Sequence, residues 1–392
     1  MDLLTPQQAA QIASGVYALR TITVAKLREN QQTLGCEGLF SVDDNSRFEG
    51  YSGAAIWKKL SGFGYIADGE GPFKGDVLVA TRGTQGGKLG PDWVSNYNIG
   101  MQPGPSNLPV HAGFNEIWKT FSEGLGEFLA RRQPRRVHCV GHSLGGALAT
   151  LTADLVTSTY KRDAALYTFG APRVGDPVFA RSLTGRIGAD QVFRVYHPSD
   201  PVPMIPLFPF FHMPFGSSGL QVHSQLGGLI NAEAHAMEDS YLKAVGQASW
   251  RDLRIAAKQR ADEASQVKTW LERAADGQGG FVMGSARLLS MIGKALGYLM
   301  AQAGKLMVCG VQANLLASFT VVDQLAWLLS RAAHLSLEVG KFVVVLIGAI
   351  FAFLGRKAVQ VANVTAAFLR WVLALLFSSL RSMAERALSL VR

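Results

Sequence analysis

The chain is short of charge, short of cysteine and, over its last 112 residues, almost without acids. Charged residues make up 17% of the 392 positions against 48% hydrophobic ones, an apolar balance for a globular protein. The three cysteines, Cys36, Cys139 and Cys309, cannot all pair, so no disulfide framework is implied. The opening Met1-Asp2-Leu3-Leu4-Thr5-Pro6 has neither a basic n-region nor an apolar h-region, and a conventional signal peptide is not expected. The corresponding expectation is cytoplasmic synthesis followed by membrane association or export by a signal-independent route. No acid occurs between Glu338 and Glu385. Residues 281–392 carry 11 Lys and Arg against Asp323, Glu338 and Glu385, a net of +8; the first 280 carry 27 against 26, a net of +1. The whole-chain charge of +9 is therefore a property of the C-terminal region.

What is present is organised around Val137-His138-Cys139-Val140-Gly141-His142-Ser143-Leu144-Gly145-Gly146. A strand-like run enters Gly-x-Ser-x-Gly, and a helix rich in Ala and Leu follows over Ala147 to Leu155. That order is what a nucleophile elbow needs, because a tight strand-to-helix turn lifts the serine hydroxyl from the top of the sheet. Gly141 and Gly145 avoid Cβ clashes in the turn, and the helix N-terminus would favour a developing oxyanion. Gly-x-Ser-x-Gly alone is a weak pattern in a chain with 42 glycines; its flanks give it weight. Cys139, on the strand, reads as a small buried residue.

Around the elbow, strands alternate with helical stretches. Thr5-Pro6-Gln7-Gln8 has the form of a capping box opening a helix. Gly62 to Asp68, Asp76 to Thr81, Ala164 to Phe169 and Gln191 to Tyr196 read as strands, and Gly113 to Arg132 has helical periodicity. Gln85 to Leu108 reads as a long loop, of the kind that forms lids. The alternation predicts an α/β fold with a mostly parallel sheet. Pro206 to Phe215 holds four Phe and three Pro and cannot be a regular element. It is either core packing or an acyl-chain wall, and Phe208, Phe210, Phe211 and Phe215 are the substrate-binding candidates on the second reading. Residues 242–276 turn polar and helical. Gly277-Gln278-Gly279-Gly280 then breaks the pattern, which puts the domain boundary at 280, with 1–280 as one domain and 281–392 as a second region.

A serine nucleophile needs a base, and the base an orienting acid. Asp200 lies just past a predicted strand end, where parallel sheets place site residues. Asp176 is the rival, but Val174-Gly175-Asp176-Pro177 looks like a helix cap. Of the later histidines, His235 sits at a loop-to-helix junction; His212 lies in the aromatic loop and His223 near a glycine-rich run.

With these residues in view the sequence resembles the class 3, fungal-type lipases of the α/β-hydrolase superfamily. Six motifs over roughly 60–245 carry the resemblance: Thr81-Arg82-Gly83-Thr84 with Asp92-Trp93, His111-Ala112-Gly113-Phe114, the elbow, Thr168 through Gly175, Asp200-Pro201-Val202-Pro203, and His235 followed by Tyr241. The resemblance implies Ser143 as nucleophile, Asp200 as acid and His235 as base. It implies an oxyanion hole from the Leu144 N–H and from Thr84, and a lid in the stretch after Thr84, here the glycine- and proline-rich 85–91. No metal or organic cofactor is called for, and nothing points to nucleic acid.

The last 112 residues lie outside the resemblance. Leu288, Leu289, Ile292, Leu296, Leu299 and Met300 fall on one side of a helix. Phe342 to Gly355 is an uninterrupted apolar run flanked by Lys341 and Arg356-Lys357. As a helix it would span ~21 Å, short of a hydrocarbon core of ~30 Å. Two readings of the region stand: a helical bundle burying its own faces, or an appendage that binds or enters anionic membranes. The expectation for the whole is a serine hydrolase of glycerolipid esters, phospholipids preferred, acting at an anionic membrane through 281–392. An antibacterial effector with an inhibitor, immunity or secretion partner would suit that combination. The alternatives are a membrane-perturbing or pore-forming protein, a triacylglycerol or small-ester lipase with a structural bundle, and a scaffold on a spent hydrolase fold.

Overall fold

Two-sided burial explains the central strands. Along β7 (Arg136–His142) Val137 and Cys139 enter one apolar core while Val140 enters the other, and β8 (Asp163–Phe169) divides Leu166 from Tyr167 and Phe169 in the same way. Strands buried on both faces read as near-continuous apolar runs, and successive side chains serve opposite layers. The computed structural model describes residues 2–22, 26–43, 46–52, 59–83, 100–217, 219–222, 230–260, 267–277, 281, 286–306, 321–357 and 364–389.

The remaining described strands are β1 (Phe40–Ser41), β2 (Arg47–Ser52), β3 (Lys59–Gly69), β4 (Val77–Thr81), the β5–β6 hairpin (Met101–Pro103 and Pro109–His111), β9 (Val192–Tyr196) and β10 (Leu220–Gln221). The main sheet runs β1-β3-β4-β7-β8-β9-β10, with β2 also on β3. From β4 to β10 every neighbour is parallel; β1, β2 and β4 are antiparallel to β3. This is the mostly parallel sheet that the alternation of strands and helices predicts. One face carries α1 (Pro6–Gly15), the other α2 (Ala112–Arg132), α3 (Leu144–Ser158) and α4 (Pro177–Ile187). The capping box opens α1 as expected: Gln8 N donates to Thr5 Oγ1 at 3.2 Å and Thr5 N to Gln8 Oε1 at 2.9 Å. Asp176 caps α4, accepting from Phe179 N at 2.7 Å, and so is committed away from the site. The long loop expected over 85–108 contains the β5–β6 hairpin at its far end; its first part lies outside the described residues.

Past the sheet come α5 (Trp250–Arg260), α6 (Val267–Ala275), α7 (Ala286–Leu306), α8 (Val321–Leu335), α9 (Leu337–Phe353) and α10 (Ala366–Ser389). Ser336 caps α9, accepting from Val339 N. The apolar run lies on α9 and its side chains face inward: Phe342, Val343, Leu346, Ile347 and Ile350 are buried against α7, α8 and α10. The bundle is not a separate body. One apolar cluster extends from the α2–α3–α4 face of the sheet through Ile205, Leu207 and Met213 into Leu271, Leu289, Leu346 and Leu376. A Cβ on Gly293 of α7 would lie 3.8 Å from Leu207. Among the described helices α10 meets the length and hydropathy of a membrane span on composition alone, and 33% of its most apolar stretch is buried.

Candidate active site

The elbow is a close approach of three backbone segments. A Cβ at Gly141 would sit 2.3 Å from the Gly145 carbonyl oxygen, and one at Gly145 would sit 2.2 Å from the Thr81 carbonyl oxygen. Only glycine fits at either place. The turn drives Ser143 to φ +59°, ψ −134°, a strained conformation for a residue with a side chain. Ser143 N donates to Phe169 O at 2.9 Å and Gly146 N to Ser143 O at 2.9 Å, so the strain is held on both sides.

The structure brings Ser143, His235 and Asp200 together. His235 Nε2 lies 2.8 Å from Ser143 Oγ and Nδ1 lies 2.8 Å from Asp200 Oδ2. Asp200 follows β9, and His235 ends a 3-10 turn over Ala232–His235. With Nδ1 against a carboxylate, the proton sits on Nδ1 and Nε2 faces the hydroxyl as an acceptor. Asp200 Oδ1 accepts from Val202 N at 2.8 Å. Leu144 is the first residue of α3, so its N–H has no intrahelical acceptor. Thr84, the other oxyanion residue implied by the resemblance, lies outside the described residues, as do the lid stretch 85–91 and His223. Gly83, just before Thr84, abuts the nucleophile: a Cβ there would lie 3.4 Å from Ser143 Cβ.

His212 has another task. Its Nε2 donates to Pro203 O at 2.7 Å, and burial, with Arg194 and Arg173 nearby, holds its pKa well below the usual imidazole range. Arg173 donates to the carbonyls of Met204 and Pro206. Together they fix the backbone that follows the acid. The four candidate substrate residues form packing contacts: Phe210 lies against the His111 ring, Phe208 and Phe215 flank Phe211, and Arg181 of α4 stacks on Phe215. Phe208, Phe211 and Phe215 also pack against the apolar cluster that runs on into the C-terminal helices.

Sequence reasoning did not give a role to Tyr17, His142 or Tyr241. Tyr241 is fully buried and its hydroxyl donates to Asp200 Oδ2 at 2.6 Å while accepting from His197 N at 3.1 Å. Burial, then the Asp200 charge, pushes its pKa well above the phenol range, so it stays a donor. His142 is neutral, because burial holds its pKa far below that of a free imidazole. Its Nε2 lies 2.9 Å from the His235 carbonyl oxygen, which can only accept. Nε2 therefore carries the proton, and the bare Nδ1 accepts from Tyr17 OH at 2.9 Å. Tyr17 OH in turn accepts from Gly83 N at 3.3 Å. One hydrogen-bonded chain thus ties the strand end before Thr84 to the backbone of the base.

Residues 78–210 match the family model described as lipase (class 3). The chain is 33% identical over 138 residues to a secreted mono- and diacylglycerol lipase 1 from Fusarium solani, covering 33% of this chain and 39% of that one. It is 32% identical over 179 residues to a phospholipase A1-II 3 from Oryza sativa subsp. indica, covering 37% and 40%. Among solved structures, a lipase II from Rhizopus niveus aligns with TM-score 0.42 and 22% identity, over 55% of this chain and 78% of that one. The chain spans about two fifths of the length of the curated relatives it matches. The lipase segment ends before His235, whose place in the site rests on the geometry.

Proposed function

We propose that this chain hydrolyses acyl esters of glycerolipids at a membrane surface, phospholipids in preference to triacylglycerol. The observation that carries the chemistry is His235 held 2.8 Å from both Ser143 Oγ and Asp200 Oδ2. His235 Nε2 takes the hydroxyl proton as Oγ attacks the ester carbonyl, and Asp200 holds the imidazolium that forms. The oxyanion meets the Leu144 N–H and, by the family pattern, Thr84; losing one such donor costs ~3–4 kcal/mol in comparable sites. His235 then returns the proton to the leaving alcohol, and a water activated by the same nitrogen releases the fatty acid.

Two observations support a lipid surface as the place of reaction. Ser143 is 1% exposed and His235 fully buried, so a covering element has to move before an ester reaches the hydroxyl. One element near the site is α10, which packs on the turn carrying His235, and α10 belongs to the cationic region. Matched relatives named for mono- and diacylglycerols and for phospholipids fit a glyceride ester as substrate; the +8 of residues 281–392 favours the phosphorylated ones. The test is product analysis of the full chain on defined phospholipid and triacylglycerol vesicles, beside Ser143→Ala. Free fatty acid and lysophospholipid from the parent and none from Ser143→Ala are expected; equal product from both proteins removes the serine mechanism.

A further inference from the structure

Two exposed arginines, one just past α9 and one on α10, meet at an open pocket on the outer side of the C-terminal helices. A cavity of about 330 Å³ opens between the end of α9 and the last turns of α10. Its polar lining is Arg356, Arg386 and the side chains of Ser378, Ser379 and Ser382; its apolar lining is Leu354 and Leu375. Ser378, Ser382 and Arg386 recur every four residues on α10 and so share one side of the helix. Arg356 arrives from α9 through a left-handed turn, with Gly355 at φ +67° and Arg356 N donating to Phe351 O at 2.9 Å. The backbone under Arg356 is thereby fixed, while its guanidinium has no ion pair or hydrogen bond among the described residues. Among the described residues the Arg386 side chain makes one contact, 3.4 Å from Nε to the Ser382 carbonyl. Among the described residues no carboxylate lines the cavity, and Glu385, the nearest acid in sequence, is held by Arg381 at 2.8 Å.

Arginines near helix C-termini commonly do no more than offset the carbonyl dipole. That role does not call for a cavity, for a second arginine brought from another helix, or for three hydroxyls beside them. Two planar guanidinium forks and three rotatable hydroxyls present many donors and no anion, the pattern that suits a phosphate with its several acceptor oxygens. The two leucines beside them suit the glycerol and first methylenes of a lipid. We infer that this cavity binds the phosphate of an anionic glycerophospholipid and seats the protein's C-terminal helices on a bilayer. The inference rests on the membrane reading above and names where the headgroup goes. α10 carries four of the five polar residues and also packs on the His235 turn, so a lipid held here lies on the helix that adjoins the triad.

The test uses the full chain and three kinds of vesicle: neutral phosphatidylcholine, phosphatidylcholine with phosphatidate, and phosphatidylcholine with oleate at equal surface charge. Arg356→Gln/Arg386→Gln is compared with Arg331→Gln/Lys341→Gln, which removes two exposed cations elsewhere on the bundle. The parent should prefer phosphatidate to oleate vesicles, and Arg356→Gln/Arg386→Gln should lose that preference with at least a tenfold fall in partitioning onto phosphatidate. The control pair should weaken binding to both anionic vesicles alike and keep the preference. Hydrolysis of a water-soluble short-chain ester should be unchanged in all three proteins. Equal losses in the two double variants, or a parent indifferent to phosphatidate against oleate, would overturn the site while leaving the esterase reading intact. A parent that binds no vesicle overturns both site and membrane reading, and one without esterase activity overturns the catalytic reading by itself. If inorganic phosphate raises the parent's melting temperature through Arg356 and Arg386 but vesicles show no phosphatidate preference, the ligand is a soluble phosphate and the lipid assignment falls.

Discussion

Replacing Tyr241 with Phe removes one oxygen from a place where two partners depend on it. The hydroxyl donates to Asp200 Oδ2 at 2.6 Å, the same oxygen that faces His235 Nδ1, and accepts from His197 N at 3.1 Å. The first contact is charge-assisted and contributes about 1.5–3 kcal/mol net; taking the acceptor from a buried N–H costs about 1–3 kcal/mol more. Phe fills the ring site without strain, so the loss in stability should be about 2.5–6 kcal/mol. Two donors, His235 Nδ1 and Val202 N, remain on Asp200, which keeps the carboxylate in place but frees it to rotate about its bond. The alignment of His235 loosens with it. Turnover should fall roughly tenfold, far less than the several orders of magnitude expected for Ser143→Ala. KM should stay unchanged, since Tyr241 touches no substrate position. Steady-state kinetics on a soluble ester and a thermal melt read both effects. A melt lowered as expected with kcat untouched would refute the positioning role and leave Tyr241 as packing.

Tyr17→Phe should lower kcat more than it raises KM, because Gly83 N and His142 Nδ1 both lose their shared partner; an unchanged kcat would mean that the chain to the His235 carbonyl is structural only. Stability should drop in mild acid. Burial lowers His111 to about 4 and holds His142 and His212 well below the free value. For a base with a depressed folded pKa the unfolded chain takes up protons first, so stability is complete above about pH 6.5 and declines below it, by about 1.4 kcal/mol per pH unit for each histidine. His111 alone should remove about 3 kcal/mol by pH 4, and denaturant melts that are flat from pH 7 to 4 would contradict the burial. Leu376→Ala, at a fully buried site in α10, should cost about 2–5 kcal/mol; a loss under 0.5 kcal/mol would show that the helix is not packed as described.

The elbow was legible because its signal is local. A strand, two obligatory glycines and a helix are contiguous, and the observed β7 and α3 differ from the expected elements only at their ends. Asp200 was reachable from its place after a strand, whereas His235 needed the family pattern, since chain distance says nothing about which of three histidines folds back onto Ser143. The Tyr17 contact joins residues 125 positions apart, and no spacing announces it. The β5–β6 hairpin was missed for a different reason. Its strands are three residues long and bounded by prolines, so turn chemistry outweighs any strand pattern.

The C-terminal region shows most clearly where composition stops being informative. In the sequence, the apolar run and the one-signed charge lie together and add up to a membrane signal. In the fold they separate. Phe342, Leu346 and Ile350 face inward on α9, while Arg331, Lys341, Arg356 and Arg386 are exposed. A core helix and a spanning helix have the same composition, and what distinguishes them is the neighbour: here Leu207, Leu271 and Leu376 share one cluster with the run. Drawing α9 into a bilayer would leave the apolar faces of Leu207 and Leu271 open to water, at about 25 cal/mol per Å² uncovered. Surface cations carry no such cost, because they would meet anionic headgroups with the bundle intact. The arrangement therefore favours docking by charge at the outer face over insertion of the run.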